Sequence, residues 1–158
     1  MGLRFRILQI FYTIFRPTFV PGNLTFKMMD ARYPKTGKLK SRKLIESLFA
    51  ARQSVAKFPL RLAYMELPEG STQQMGVSVS KKYFKRAHDR NYYKRVLREC
   101  YRTNKSLLET GKPYAFMLMY QTSERMDFHQ IHELTVALFG KFAARQSDTI
   151  RDASALKE

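Results

Sequence analysis

The chain has 158 residues and carries 29 Lys and Arg against 13 Asp and Glu, a formal charge of +16. That length makes about one domain, with a core large enough to fold without disulfides or a structural metal. The single cysteine, Cys100, excludes a disulfide framework and a Cys-rich zinc site. So large a positive charge repels itself and attracts polyanions, which makes nucleic acid the first partner to consider and an anionic membrane surface the second.

In chain order, residues 1–34 stand apart. Met1 to Arg16 carries an apolar run from Ile7 to Phe15, broken by Pro17, Pro21 and Gly22. No stretch reaches the ~20 apolar residues of a transmembrane helix. A secretory signal would need a small-residue cleavage site after the run, and none follows. An amphipathic surface anchor and a plain extension upstream of Met28 and Met29 are the other readings. The expectation is a poorly ordered extension.

Ser41 is placed to cap a helix carrying Leu44, Ile45, Leu48 and Phe49 at helical spacing, ending near Arg52. Phe58 to Leu67 alternates as a half-buried strand, Pro68, Glu69 and Gly70 make a turn, and Gln74 to Ser80 alternates again. These two strands are predicted to pair as an antiparallel hairpin. A long helix is predicted from Arg86 to Thr110, stopped by Gly111 and Pro113. Tyr114 to Tyr120 is nearly all apolar, as in a central strand covered on both faces. Asp127 starts a last helix with Ile131, Leu134, Leu138, Phe139 and Phe142 on one face, and a frayed polar tail is predicted from Gln146. With one more short strand near Val55, the order predicts an α+β fold, helices packed on a small mixed sheet.

Half of the net charge lies in residues 81–105, where ten Lys and Arg face only Asp89 and Glu99, a balance of +8. On a helical wheel with Arg90 at 0°, Lys94, Arg95, Arg98, Arg102 and Lys105 fall between about 40° and 140°, with Asn91 among them. Tyr93, Val96, Leu97, Cys100 and Asn104 fall between about 240° and 340°. A merely solvated face mixes signs, because like charges at i,i+4 cost a few tenths of a kcal/mol per pair. Here Arg90, Lys94, Arg98 and Arg102 repeat one sign at every such step. A phosphodiester backbone neutralises such a row, and counterion release favours the contact.

The run SVSKK at 78–82, followed by KRAHDRNYYKRVLRECYR at 85–102, strongly resembles the protein subunit of bacterial ribonuclease P. That family's motif is Arg-Asn-Arg-x-Lys-Arg with a further Arg three residues on. Arg90, Asn91, Lys94, Arg95 and Arg98 occupy those places, and Tyr92 stands where the second arginine is usual. LKSRKLIESLF at 39–49 resembles the family's first helix, and the likeness runs to about residue 145. It implies a domain over 35–146, with 147–158 a polar tail, and a four-stranded mixed sheet. It also implies a left-handed β-α-β crossover around the basic helix, the fold of the second domain of a small-subunit ribosomal protein.

The resemblance implies the function too: binding the catalytic RNA of ribonuclease P and the 5′ leader of precursor tRNA, in the cytoplasm, to promote endonucleolytic leader removal. The RNA-binding candidates are Lys81, Lys82, Lys85, Arg86, Arg90, Asn91, Lys94, Arg95, Arg98 and Arg102. A cleft between the first helix and the sheet, with Ile45, Phe49 and Tyr64, is the implied seat of the single-stranded leader. The family places its Mg2+ mainly in the RNA subunit, with no organic cofactor.

The residues themselves offer no protein active site. No D-x-D or D-x-E pair occurs, and His129 and His132 lack a third ligand partner in the sequence. Asp89 is expected to start or cap a helix, and Cys100 to be an inert core thiol. Two competing classes remain: a non-enzymatic RNA-binding protein of ribosomal type, which explains the charge but not the ordered motif, and a membrane-surface protein, suggested by residues 1–16. No stable membrane association is expected.

Overall fold

The computed structural model describes residues 34–155. Nearly all of the expected N-terminal extension, and the end of the chain, lie outside them. Eight elements follow in order: α1 (Arg42–Ala50), β1 (Ser54–Lys57), β2 (Leu60–Glu66), β3 (Gln74–Val79), α2 (Ala87–Asn104), a 3-10 turn (Lys105–Leu108), β4 (Tyr114–Tyr120) and α3 (Phe128–Ala155).

The four strands form one mixed sheet in the order β1-β2-β4-β3. β1 pairs antiparallel with β2, β2 antiparallel with β4, and β3 parallel with β4. The predicted β2–β3 hairpin is therefore wrong. β4 inserts between the two, and α2 supplies the crossover that a parallel β3–β4 pair requires. The physical reason lies in β4, which is buried along almost its whole length and gains most from a neighbour on each edge. The connection from Leu67 to Gln73 is long enough to step over it, with Gly70 at φ 82 in the turn.

The sheet is covered on both faces. Leu60, Leu62, Tyr64, Met75, Val79, Phe116, Leu118 and Tyr120 join Tyr93, Val96, Leu97 and Cys100 of α2 and Ile131, Leu138, Phe139 and Phe142 of α3 in the larger core. On the other face Leu48 of α1 closes over Ala63, Leu67, Ala115 and Met117, flanked by Leu44, Ile45, Met65 and Met119.

Local signals set the helix ends. The Ser41 hydroxyl accepts from the Leu44 N–H at 3.4 Å and caps α1. At α3, Asp127 Oδ1 accepts from Gln130 N at 2.8 Å while Gln130 Oε1 accepts from Asp127 N at 3.1 Å, a reciprocal capping box. α2 stops at Asn104, before the predicted Thr110, where the Asn104 amide donates to the Cys100 carbonyl at 2.8 Å. The frayed tail predicted from Gln146 is instead the last part of α3, which runs on to Ala155. Neither Gly nor Pro follows Gly140, so no residue there breaks the helix. Among the described residues no helix is long and apolar enough to cross a membrane.

Candidate nucleic-acid interface

α2 presents its two faces as the wheel predicts except at Tyr101, which falls at about 20° among the cations yet is buried. Tyr93, Val96, Leu97, Cys100 and Tyr101 are buried, while Asn91, Arg95 and Arg98 are exposed and Arg90, Lys94 and Arg102 half-buried. The segment before it extends the basic surface. Ser80 ends β3, its hydroxyl accepting from Lys82 N at 3.1 Å and its carbonyl from Tyr83 N and Phe84 N, both at 3.2 Å. This turn leaves Lys81, Lys82, Lys85 and Arg86 exposed beside the N-terminus of α2. Phe84 anchors it, stacked 4.7 Å from Tyr93, which stacks in turn 4.9 Å from Tyr120.

The ten candidate residues do not play one role. The side chains of Lys81, Lys85, Arg86, Asn91, Lys94, Arg95 and Arg98 make no hydrogen bond or ion pair with another described residue. They are available to phosphates. Lys82 lies 5.8 Å from the centre of the Tyr83 ring. Arg90 turns inward: its Nη1 donates to the Phe84 carbonyl at 2.8 Å and to the Lys85 carbonyl at 2.6 Å, tying the turn to the helix. Arg102 holds Glu99, with Nε donating to Oε2 at 2.9 Å. That bond draws the Glu99 carboxyl below its usual range and raises the Arg102 guanidinium.

The predicted leader cleft is only partly assembled. Ile45 and Phe49 lie on α1, half-buried and 47% exposed respectively. Tyr64 does not join them. It is 4% exposed on the opposite face of the sheet, 4.9 Å from Phe142 and 6.2 Å from Tyr114. Because side chains alternate along a strand, the β2 residues on the α1 face are Arg61, Ala63 and Met65. The register sets Arg61 beside Met119, whose far neighbour on β3 is Ser78, and Ala63 beside Met117, whose far neighbour is Gly76. Gly76 lets the Met117 side chain lie across it, since a Cβ there would meet Met117 Cε at 2.8 Å. Arg61 and Met119 share the sheet face that α1 covers, a placement that sequence reasoning missed. Both parities of β2 look apolar, and only its helix partners separate them.

The acidic groups and histidines are mostly engaged within the fold. Asp89 accepts from Arg125 at 3.1 Å in the first turn of α2, Glu66 from Lys112 at 2.8 Å and Glu46 from Arg42 at 3.0 Å. The expected helix-capping role of Asp89 is not what it does: Arg86 is the N-cap, without a side-chain cap bond. His132 Nε2 lies 2.9 Å from Asn104 Nδ2. Among the described residues no three His, Cys, Asp or Glu come together as metal ligands. Burial pushes the Cys100 thiol up to about 11, as suits a core residue.

Comparison with known proteins agrees with this geometry. The family described as Ribonuclease P matches residues 33–143. The ribonuclease P protein component of Porphyromonas gingivalis is 41% identical over 76 residues, 47% of this chain and 56% of the relative. The match thus spans a little over half the length of that curated relative. The RNase P protein from Thermotoga maritima superposes with a TM-score of 0.57 at 22% identity, covering 66% of this chain and 96% of the other. A Staphylococcus aureus RNase P protein mutant gives 0.60 at 23% identity, covering 78% and 98%. These two establish likeness of fold, and the match over 33–143 establishes the kinship: this chain belongs to the ribonuclease P protein family.

Proposed function

We propose that the chain is the RNA-binding protein subunit of a ribonuclease P. In this role it holds the catalytic RNA along α2 and the Lys81–Arg86 turn, and takes the 5′ leader of precursor tRNA into the cleft between α1 and the sheet. It thereby promotes the endonucleolytic cut that makes the mature tRNA 5′ end. The observation that carries this is the one-sided cation row of α2, where Lys94, Arg95 and Arg98 stand without partners among the described residues, beside Lys81 and Lys85. Such a row suits a phosphate backbone. In the cleft, Phe49 offers a stacking surface to unpaired bases and Arg61 a counter-charge.

The catalytic groups and Mg2+ are assigned to the RNA. Four of the protein's carboxylates are occupied by Arg42, Lys112, Arg125 and Arg102. The protein's share is electrostatic: it screens phosphate repulsion, binds the leader and raises local metal affinity. The compartment proposed is the cytoplasm.

The test is binding to ribonuclease P RNA against salt, paired with cleavage of precursor tRNA. Neutralising Lys94 and Arg98 together should weaken binding and flatten the log–log salt slope by roughly 0.7–0.9 per lost contact. The protein should lower the magnesium that the RNA needs for cleavage, and should cut nothing alone. An unchanged slope would remove the interface. Cleavage by protein without RNA would move the chemistry to the chain.

A further inference from the structure

Tyr92 is an aromatic residue of α2 that lies on neither face. It falls at about 200° on the wheel, between the basic row and the buried side. The residue is 50% exposed. It is nonetheless held in place: it meets Tyr93 edge-on, with centroids 5.2 Å apart and planes at 83°. Tyr93 packs in turn in a three-ring cluster with Phe84 and Tyr120, at 4.7 and 4.9 Å, with those two rings 6.0 Å apart. Tyr92 is thus an open aromatic face resting on a packed aromatic cluster.

Residues three and four apart are neighbours on a helix surface, which puts exposed Arg95 one turn ahead of Tyr92, and exposed His88 and the Asp89 carboxylate, itself paired with Arg125, one turn behind. An open ring beside a cation suits a nucleotide whose base is unpaired, since the base offers a π-face and its phosphate a charge. It suits duplex RNA poorly, because paired bases have no free face. A ring already fixed against its neighbour also loses little freedom on binding.

We propose that Tyr92 is a stacking platform for one unpaired nucleotide of the bound RNA, with Arg95 taking an adjacent phosphate. The proposal rests on the RNA-binding role of α2.

The two kinds of contact separate in a salt titration. Stacking changes affinity without changing the number of counterions released, whereas a phosphate contact changes both. The probe is in vitro transcribed ribonuclease P RNA bound by the full chain, with thermal melts to confirm folding. Tyr92→Phe should bind within about twofold of the parent. Tyr92→Ala and Tyr92→Leu should each lose roughly 5- to 150-fold, the worth of one base–aromatic stack, at an unchanged salt slope. Tyr92→Arg should steepen the slope by roughly 0.7–0.9.

The proposal is overturned if Tyr92→Ala stays within twofold of the parent, or if Tyr92→Leu binds like Tyr92→Phe, which would mean bulk alone. A slope flattened by Tyr92→Phe would also overturn it, by making the hydroxyl the contact. Arg98→Gln in the same assay keeps the two layers apart. If it alone alters affinity and slope, the stack fails and the interface stands. If neither it nor Tyr92→Ala alters them, both fall.

Discussion

Arg90 sits in the motif as an apparent phosphate ligand, yet its guanidinium is spent on the backbone of the Lys81–Arg86 turn. Arg90→Met keeps the aliphatic stem and removes both hydrogen bonds, to the half-buried Phe84 carbonyl and the exposed Lys85 carbonyl. A hydrogen bond with a charged donor is worth about 1.5–3 kcal/mol net, and water replaces the exposed one, so roughly one bond's worth is lost. At about 4 °C per kcal/mol for a domain of this size, melting should fall by about 6–12 °C. Arg98→Met is the comparison, because Arg98 is exposed and makes no hydrogen bond or ion pair among the described residues. Its stability should change by less than ~0.5 kcal/mol. Circular dichroism melts of the two variants, side by side, measure the difference. On RNA the order reverses in the salt slope: Arg98→Met flattens it by roughly 0.7–0.9, while Arg90→Met weakens binding chiefly by releasing the turn. Equal melting temperatures for the two variants would refute the distinction between a positioning arginine and a binding one.

Leu48 is the fully buried residue that seals α1 to the sheet, so Leu48→Ala should cost about 2–5 kcal/mol in urea denaturation. Cys100 should resist thiol reagents in the folded protein at pH 8 and react fully in denaturant, because burial holds its thiol at about 11. The same burial raises Tyr120 to about 12. Both groups bind their protons more tightly when folded. Their stabilisation is therefore complete below the unfolded values of 9.0 and 10.0 and is lost as pH climbs through about 11 and 12, a decline that melts from pH 8 to 12 would register. Asp89→Asn removes the Arg125 pair, whose cation is mostly exposed, and should cost no more than about 1 kcal/mol. With the catalytic RNA and saturating magnesium, single-turnover cleavage by that variant should stay within about tenfold of the parent.

What the sequence made legible was local or periodic. Ser41 and Asp127 mark helix starts because a cap is a bond within a few residues. Most of the buried side of α2 follows from 3.6-residue spacing, Tyr101 excepted. Strand partners and strand faces are set elsewhere in the chain. β2 and β3 look like a hairpin until β4, forty residues on, proves the better neighbour for both. Tyr64 and Met65 are equally plausible cleft residues until α1 covers one side of the sheet and α3 the other. Arg90 marks the same boundary within a single side chain. The wheel places its Cβ on the basic face, correctly, but a long arginine reaches back six residues to carbonyls that no wheel represents. A motif is thus a list of backbone positions. Whether an arginine there serves the ligand or the fold depends on which acceptors lie within its reach, and for Arg90 the nearest acceptors belong to the protein.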